Sequence, residues 1–232
     1  MGVGYNTSIV RDGLVLYLDA ANSKSYPGSG NWKDLIDTTS AAVVNGTPSF
    51  DSTDLAFVFD SSSDFFRLTR DDLNGGSQDY DEVTVNIWFY ATTANTGSGT
   101  SRNLITVENS FEVSIGTYDT SNGNVYYASN PWAWRGTNEP SFKFNTWNMM
   151  TFVHSLSHRA LYINGEEIYY STNSGALSAG SSSYPYMTIS GRTSGTGSPF
   201  FGKIATVQIY DRPISTDEIV KNFEALRGRY GI

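Results

Sequence analysis

The stretch VTVNIWFY, Val83 to Tyr90, alternates Val83, Val85, Ile87 and Phe89 with Thr84, Asn86, Trp88 and Tyr90. A period of two places these sets on opposite faces of an extended strand. The same signature of short β-branched and aromatic runs, separated by Gly, Asn, Asp and Ser, recurs along most of the chain. Strands are expected at Leu14 to Asp19, Leu55 to Phe59, Phe65 to Thr69, Leu104 to Val107, Phe111 to Ile115 and Val125 to Ala128. They continue at Trp147 to His154, Arg159 to Ile163, Glu167 to Tyr170, Met187 to Ser190 and Lys203 to Tyr210. Asn164-Gly165, between LYI and EEIYY, suits a two-residue hairpin turn, because both residues tolerate positive φ. Such a succession predicts an all-β sandwich or barrel.

The ending differs in kind. Ser215 and Glu218 have capping-box spacing, and Ile219, Phe223 and Leu226 fall on one helical stripe. A docked helix is expected over about 215–227, with Gly228 as its stop and Arg227 and Arg229 at its negative end. Between the first strand and the next, ANSKSYPGSGNW forms turns and leads to Trp32, Leu35 and Ile36, expected to fold back as a short plug over the sheet. The domain organisation expected is an arm over 1–12 and a single sandwich domain over 13–232.

Composition removes several classes of function. The formal charge of −8, without a long basic run, argues against a phosphate-binding surface and hence against nucleic acid. The chain has no Cys, which excludes disulfides, thiolate metal sites and a cysteine nucleophile. No apolar stretch approaches the roughly 20 residues of a membrane span, and MGVGYNTSIVRDG lacks the apolar run of a signal peptide, so synthesis in a cytoplasm is expected.

The first strand GLVLYLDAANSKSYPGSG with NWKDL, then AFVFD, DFFRL, VTVNIWFY and ALYINGEEI, and finally GKIATVQIYDRPISTDEIVKNFEALRGRYGI, resemble the laminin G/concanavalin A-like lectin domains. The pairing of the first of these segments with the last is similar to domains in structural proteins of tailed bacteriophages. The resemblance implies a jelly-roll sandwich of two antiparallel sheets closed by a C-terminal α-helix, in a fold used for glycan or protein recognition, often with calcium near the binding edge. It implies a non-enzymatic virion protein, made in the host cytoplasm and exposed on head or tail. The implied partners are other capsid or tail proteins, cell-surface polysaccharide and further copies of the chain. A carbohydrate-binding module is the alternative, and a glycoside hydrolase a more distant one.

The residues themselves offer few catalytic constellations. Hydrolysis of a glycosidic bond needs two carboxylates aimed at it. Glu112 stands alone in FEVSI, and Glu166-Glu167 border a hairpin turn. His154 and His158 are four apart but flank a strand turn, where helical ligand spacing has no meaning. No cofactor is required; calcium is the ion considered, with Asp60, Asp64, Asp71, Asp72, Asn74 and Asp79 as candidate oxygen donors in two polar loops that serve equally as plain turns. The aromatic cluster YYASNPWAWRG supplies the contact candidates Tyr127, Asn130, Trp132, Trp134 and Arg135. Such rings stack on sugars, anchor protein interfaces or close a core, and the sequence leaves all three readings open.

Overall fold

The computed structural model describes residues 8–69, 82–95, 102–108, 110–117, 119, 122–129, 133–172, 174–177, 186–192 and 197–232. Among these, two antiparallel sheets stack face to face. The first has eight strands. Its spine is Glu166–Ser171 (β15), Arg159–Ile163 (β14), Trp147–His154 (β13), Val83–Ala91 (β7), Gly202–Tyr210 (β17), Ala56–Phe59 (β5) and Ser49–Asp51 (β4), in that spatial order. Leu14–Asp19 (β1) pairs with the second half of β17, in line with β5.

The second sheet has nine strands. Its order is Ala133–Gly136 (β11), Asn122–Ser129 (β10), Phe111–Thr117 (β9), Arg102–Val107 (β8), Tyr186–Ile189 (β16), Phe65–Thr69 (β6), Ala41–Asn45 (β3) and Trp32–Lys33 (β2), while Phe142–Lys143 (β12) joins the start of β10. Asn164 and Gly165 link β14 to β15 with φ of 53° and 87°, as a two-residue turn requires.

The alternation read from the sequence sets the layers. Val83, Val85, Ile87 and Phe89 meet Phe111, Val113, Ile115, Val125 and Tyr127 in the core between the sheets. Trp88 and Tyr90 face the other way, into a second apolar layer that is closed by the helix Thr216–Tyr230 (α1) and by Ile9 and Val10. Both faces of the eight-stranded sheet are therefore covered, which is why its central strands are apolar on both sides.

The helix carries the full capping box at Ser215 and Glu218. It runs past Gly228 to Tyr230 and ends at Gly231, whose φ of 72° is the left-handed stop. The expected stop at Gly228 is corrected because Tyr230 packs its ring 4.3 Å from that of Trp88 and 4.6 Å from that of Trp147, contacts that outweigh the roughly 1 kcal/mol cost of a helical glycine. One buried helical side chain is polar: Asn222 donates to the Tyr210 hydroxyl at 3.0 Å and accepts the Val10 amide at 2.8 Å, pinning the segment before β1.

Strands β2, β3, β4, β11 and β12 were not expected. They are short and lie at or near sheet edges, and Val43 and Val44 in β3 are exposed, so no apolar alternation marks them. The expected plug divides: Trp32 is fully buried between the sheets, Leu35 packs against the layer under the helix, and Ile36 is exposed.

Candidate functional site

Because the inner positions of the nine-stranded sheet fill the core, its outer positions are free to do something else. Backbone pairing aligns Trp134, Ala128, Glu112, Thr106, Thr188 and Arg67 in one row across the strands. The adjacent row holds Gly136, Tyr126, Ser114 and Asn103. Trp134 aside, these residues are polar or small, yet Glu112, Thr106, Ser114, Asn103 and Thr188 are buried.

A buried carboxylate must be paired and hydrogen-bonded. Glu112 is both. Its Oε2 accepts from Asn103 Nδ2 at 2.8 Å and from Arg192 Nη2 at 3.0 Å, and Arg192 Nε lies 3.0 Å from Oε1. Asn103 also donates to Thr106 Oγ1 at 2.8 Å and accepts from Ser114 Oγ at 2.8 Å. The backbone just after β16 folds back at Ser190 and Gly191, both at positive φ, and Gly191 donates to the Asn103 carbonyl. That turn is what delivers Arg192 to the sheet face. The Arg192 side chain remains 36% exposed, so the Nη1 side of its fork, turned away from Glu112, is a rigidly held donor at the surface.

Beside this clamp, Tyr126 lies flat on the sheet. A Cβ placed on Gly116 would fall 2.5 Å from Tyr126 Cε2, and one on Gly136 2.5 Å from Cδ1. At Gly116 the ring supplies the nearest atom, and at Gly136 the Val125 carbonyl at 2.2 Å and the ring together exclude a side chain. The Tyr126 hydroxyl accepts from Asn124 Nδ2 at 2.5 Å, which fixes the ring's direction, and the ring stays half-buried. A fixed guanidinium edge and a flat aromatic face on one surface can bind a ligand that offers both oxygens and apolar C–H faces.

The family model described as the concanavalin A-like lectin/glucanases superfamily matches residues 60–220. The chain belongs to this superfamily. Solved structures of similar fold include the botulinum neurotoxin serotype D ligand binding domain in complex with N-acetylneuraminic acid, at TM-score 0.64 and 16% identity, matched over 92% of this chain and 51% of that one. Another is domain 4 of an extracellular arabinanase from Geobacillus stearothermophilus in complex with arabinotriose, at TM-score 0.62 and 15% identity, over 92% of this chain and 99% of that one. The chain thus spans about half the length of the neurotoxin binding domains. No curated protein sequence matches it.

Within the superfamily fold, the candidates from the sequence scatter. Tyr127 is corrected from a contact residue to a core residue: it is 1% exposed, its ring 5.2 Å from that of Phe152, and burial together with a hydrogen bond to Tyr169 pushes its phenol up to about 12. Alternation along β10 turns it inward while Tyr126 turns outward. Arg135 is exposed on the edge strand, paired in register with Tyr127, and Trp134 pairs through its backbone with Ala128. Asn130 and Trp132 lie outside the described residues.

Of the calcium candidates, Asp71, Asp72, Asn74 and Asp79 also lie outside the described residues. Asp60 is exposed, whereas Asp64 is buried and its carboxylate takes the amide N–H groups of Thr47 at 2.9 Å and Ser61 at 3.1 Å. It closes the turn between β5 and β6. His154 and His158 do not converge: the first accepts from Arg159 Nε at 3.1 Å inside the sandwich, and the second stacks on Tyr170. Glu112 reads as a lone carboxylate in the sequence, Tyr126 is not among the candidates of its cluster, and nothing local marks Asn103 or Arg192. The usable signal was FEVSIG, where polar Glu112 and Ser114 occupy the outward positions of an otherwise apolar strand and Gly116 follows them.

Proposed function

We propose that the chain is a non-enzymatic carbohydrate-binding module that holds its ligand on the outer face of the nine-stranded sheet. The observation that carries this reading is the pairing of Arg192, held by buried Glu112, with Tyr126 laid flat over Gly116 and Gly136. Arg192 offers hydrogen bonds to sugar oxygens and Tyr126 a face for the C–H side of a ring. Saccharides in the complexes of two proteins of similar fold agree with it.

A binding rather than hydrolytic role is supported by the state of Glu112, whose two oxygens already face Arg192 and Asn103, whereas glycoside hydrolysis uses a pair of carboxylates. Calcium is proposed only as an accessory near Asp60, since Asp64 is engaged by backbone amides.

Within the same reading we place the module on the head or tail surface of a tailed phage, the setting implied by the resemblance of the two chain ends. Those ends are one structural unit, since β1 pairs with β17 and Asp19 with Arg229. Mass spectrometry of purified particles tests that placement.

The binding test is a glycan array of the full chain, with and without calcium, followed by calorimetry on the saccharides retained. Micromolar to millimolar affinity is expected, weakened at least tenfold by Tyr126→Ala and by Arg192→Ala. An array without a single hit, or hits that both variants retain, overturns the reading.

A further inference from the structure

A pocket of about 340 Å³ opens at the end of the sandwich where β12 leads into β13, away from the outer face of the nine-stranded sheet. Its apolar walls are Phe142, Trp147 and Ile232, and Lys143 and Thr146 stand at its exposed rim. The polar floor comes from Asn148 and Asn164.

These two amides are fixed by the fold. Asn164 is the first residue of the β14–β15 turn, and its Oδ1 accepts the Met149 amide at 2.8 Å while its own amide donates to the Met149 carbonyl. Asn148 is 3% exposed and donates through Nδ2 to the Thr146 carbonyl at 3.0 Å. Among the described residues, what remains is Asn164 Nδ2 as a donor and Asn148 Oδ1 as an acceptor, joined only by a long 3.4 Å hydrogen bond. A donor and an acceptor side by side, against an indole and a phenyl wall, match two neighbouring hydroxyls on a ring with an apolar C–H face.

We infer that this pocket is a second saccharide site, separate from the sheet face, that takes one neutral monosaccharide ring through a pair of adjacent hydroxyls. The volume is at the small end of the roughly 300–1,000 Å³ of ligand pockets and leaves room for little beyond a single ring. The polar floor is made of amides, with the one charged side chain of the lining, Lys143, at the rim, so an uncharged sugar suffices. The ligand class is shared with the proposed function, but the residues are not, and the two fail independently.

The test is titration of the full, ¹⁵N-labelled chain with glucose, galactose, mannose, N-acetylglucosamine and N-acetylneuraminic acid, reading the Trp147 indole and the Asn148 and Asn164 side-chain amide signals. At least one neutral sugar is expected to shift all three with millimolar affinity. Asn164→Asp keeps the acceptor for the Met149 amide and tolerates the turn's positive φ but removes the donor; it is expected to weaken these shifts at least tenfold while the melting temperature and any response at Asn103 and Asn124 stay as in the parent. A second variant, Thr146→Trp, crowds the exposed rim and is expected to abolish the shifts. The inference is overturned if no neutral sugar moves these signals, if only N-acetylneuraminic acid does, or if the shifts survive both substitutions. Loss of binding on the sheet face alone, with these signals still responding, overturns the proposed function and leaves the pocket standing.

Discussion

Arg229 grips Asp19 with both ends of its fork, Nη1 to Oδ1 at 2.8 Å and Nη2 to Oδ2 at 3.1 Å, and so ties the last turn of the helix to the end of the first strand. Burial opposes the charge on Arg229, yet Asp19 holds its pKa above the ordinary guanidinium value. Asp19 is itself almost fully buried and also accepts from the Tyr17 hydroxyl and the Ala21 amide.

Arg229→Ala removes the ion pair but leaves those two donors, and Arg229 is partly open to solvent, so the cost is expected at about 2 kcal/mol, below that of breaking a wholly enclosed pair. Urea unfolding should show a lower midpoint at unchanged slope. Arg229→Lys should recover less than half, because a single ammonium cannot span both carboxylate oxygens. A midpoint equal to the parent's would contradict the tie.

The aromatic stack under the helix ranks its members. Tyr230 is 9% exposed and contacts both Trp88 and Trp147, whereas Phe223 is half-buried and stacks on Trp88 alone among these rings at 5.7 Å. Tyr230→Ala is expected to cost about 3–4 kcal/mol and Phe223→Ala about 1–2 kcal/mol. Thermal unfolding of the two variants checks the order, and a larger loss at Phe223 would refute it.

Val83 to Tyr90 disclosed both its faces because each set of alternating residues meets a different apolar layer, and the capping box of Ser215 and Glu218 is a purely local device. The role of Tyr230 was illegible because Gly228 reads as a stop, and only Trp88 and Trp147, far away in the chain, make continuing the helix worthwhile. The sheet-face site was hidden for a similar reason. Glu112, Asn103 and Arg192 meet through strand register and one turn, and Tyr126 differs from its core neighbour Tyr127 only by the parity of its position.

Gly116→Ala probes the sheet face without touching a ligand-contacting side chain. The added Cβ would fall 2.5 Å from Tyr126 Cε2 and 2.8 Å from Asn124 Oδ1, both side-chain atoms able to move, so the ring must lift from the sheet. Stability should change by less than about 1 kcal/mol, since alanine is acceptable in a strand. Affinity for any saccharide retained on the array should fall about tenfold, the loss of one well-aligned stacking contact. Equal affinity in Gly116→Ala and parent, measured by calorimetry, would remove Tyr126 from the site.

His154 supplies a pH dependence with a defined sign. It is fully buried at the end of β13, and because Arg159 Nε–H donates to its Nδ1, the imidazole is neutral with its proton on Nε2. Burial first, and the Arg159 charge second, push its pKa from 6.5 down to about 4. The unfolded chain therefore binds a proton between these values that the folded chain refuses. This stability is fully present above about pH 6.5 and is lost as the pH falls toward 4, by about 3 kcal/mol if His154 acted alone. Urea midpoints measured at intervals between pH 7 and pH 4 should decline through that window. Other groups titrate there as well, so the decisive quantity is the difference from His154→Gln, whose amide oxygen can still accept from Arg159 but cannot be charged. The variant should show a shallower decline, and parallel curves for the two proteins would refute the assignment.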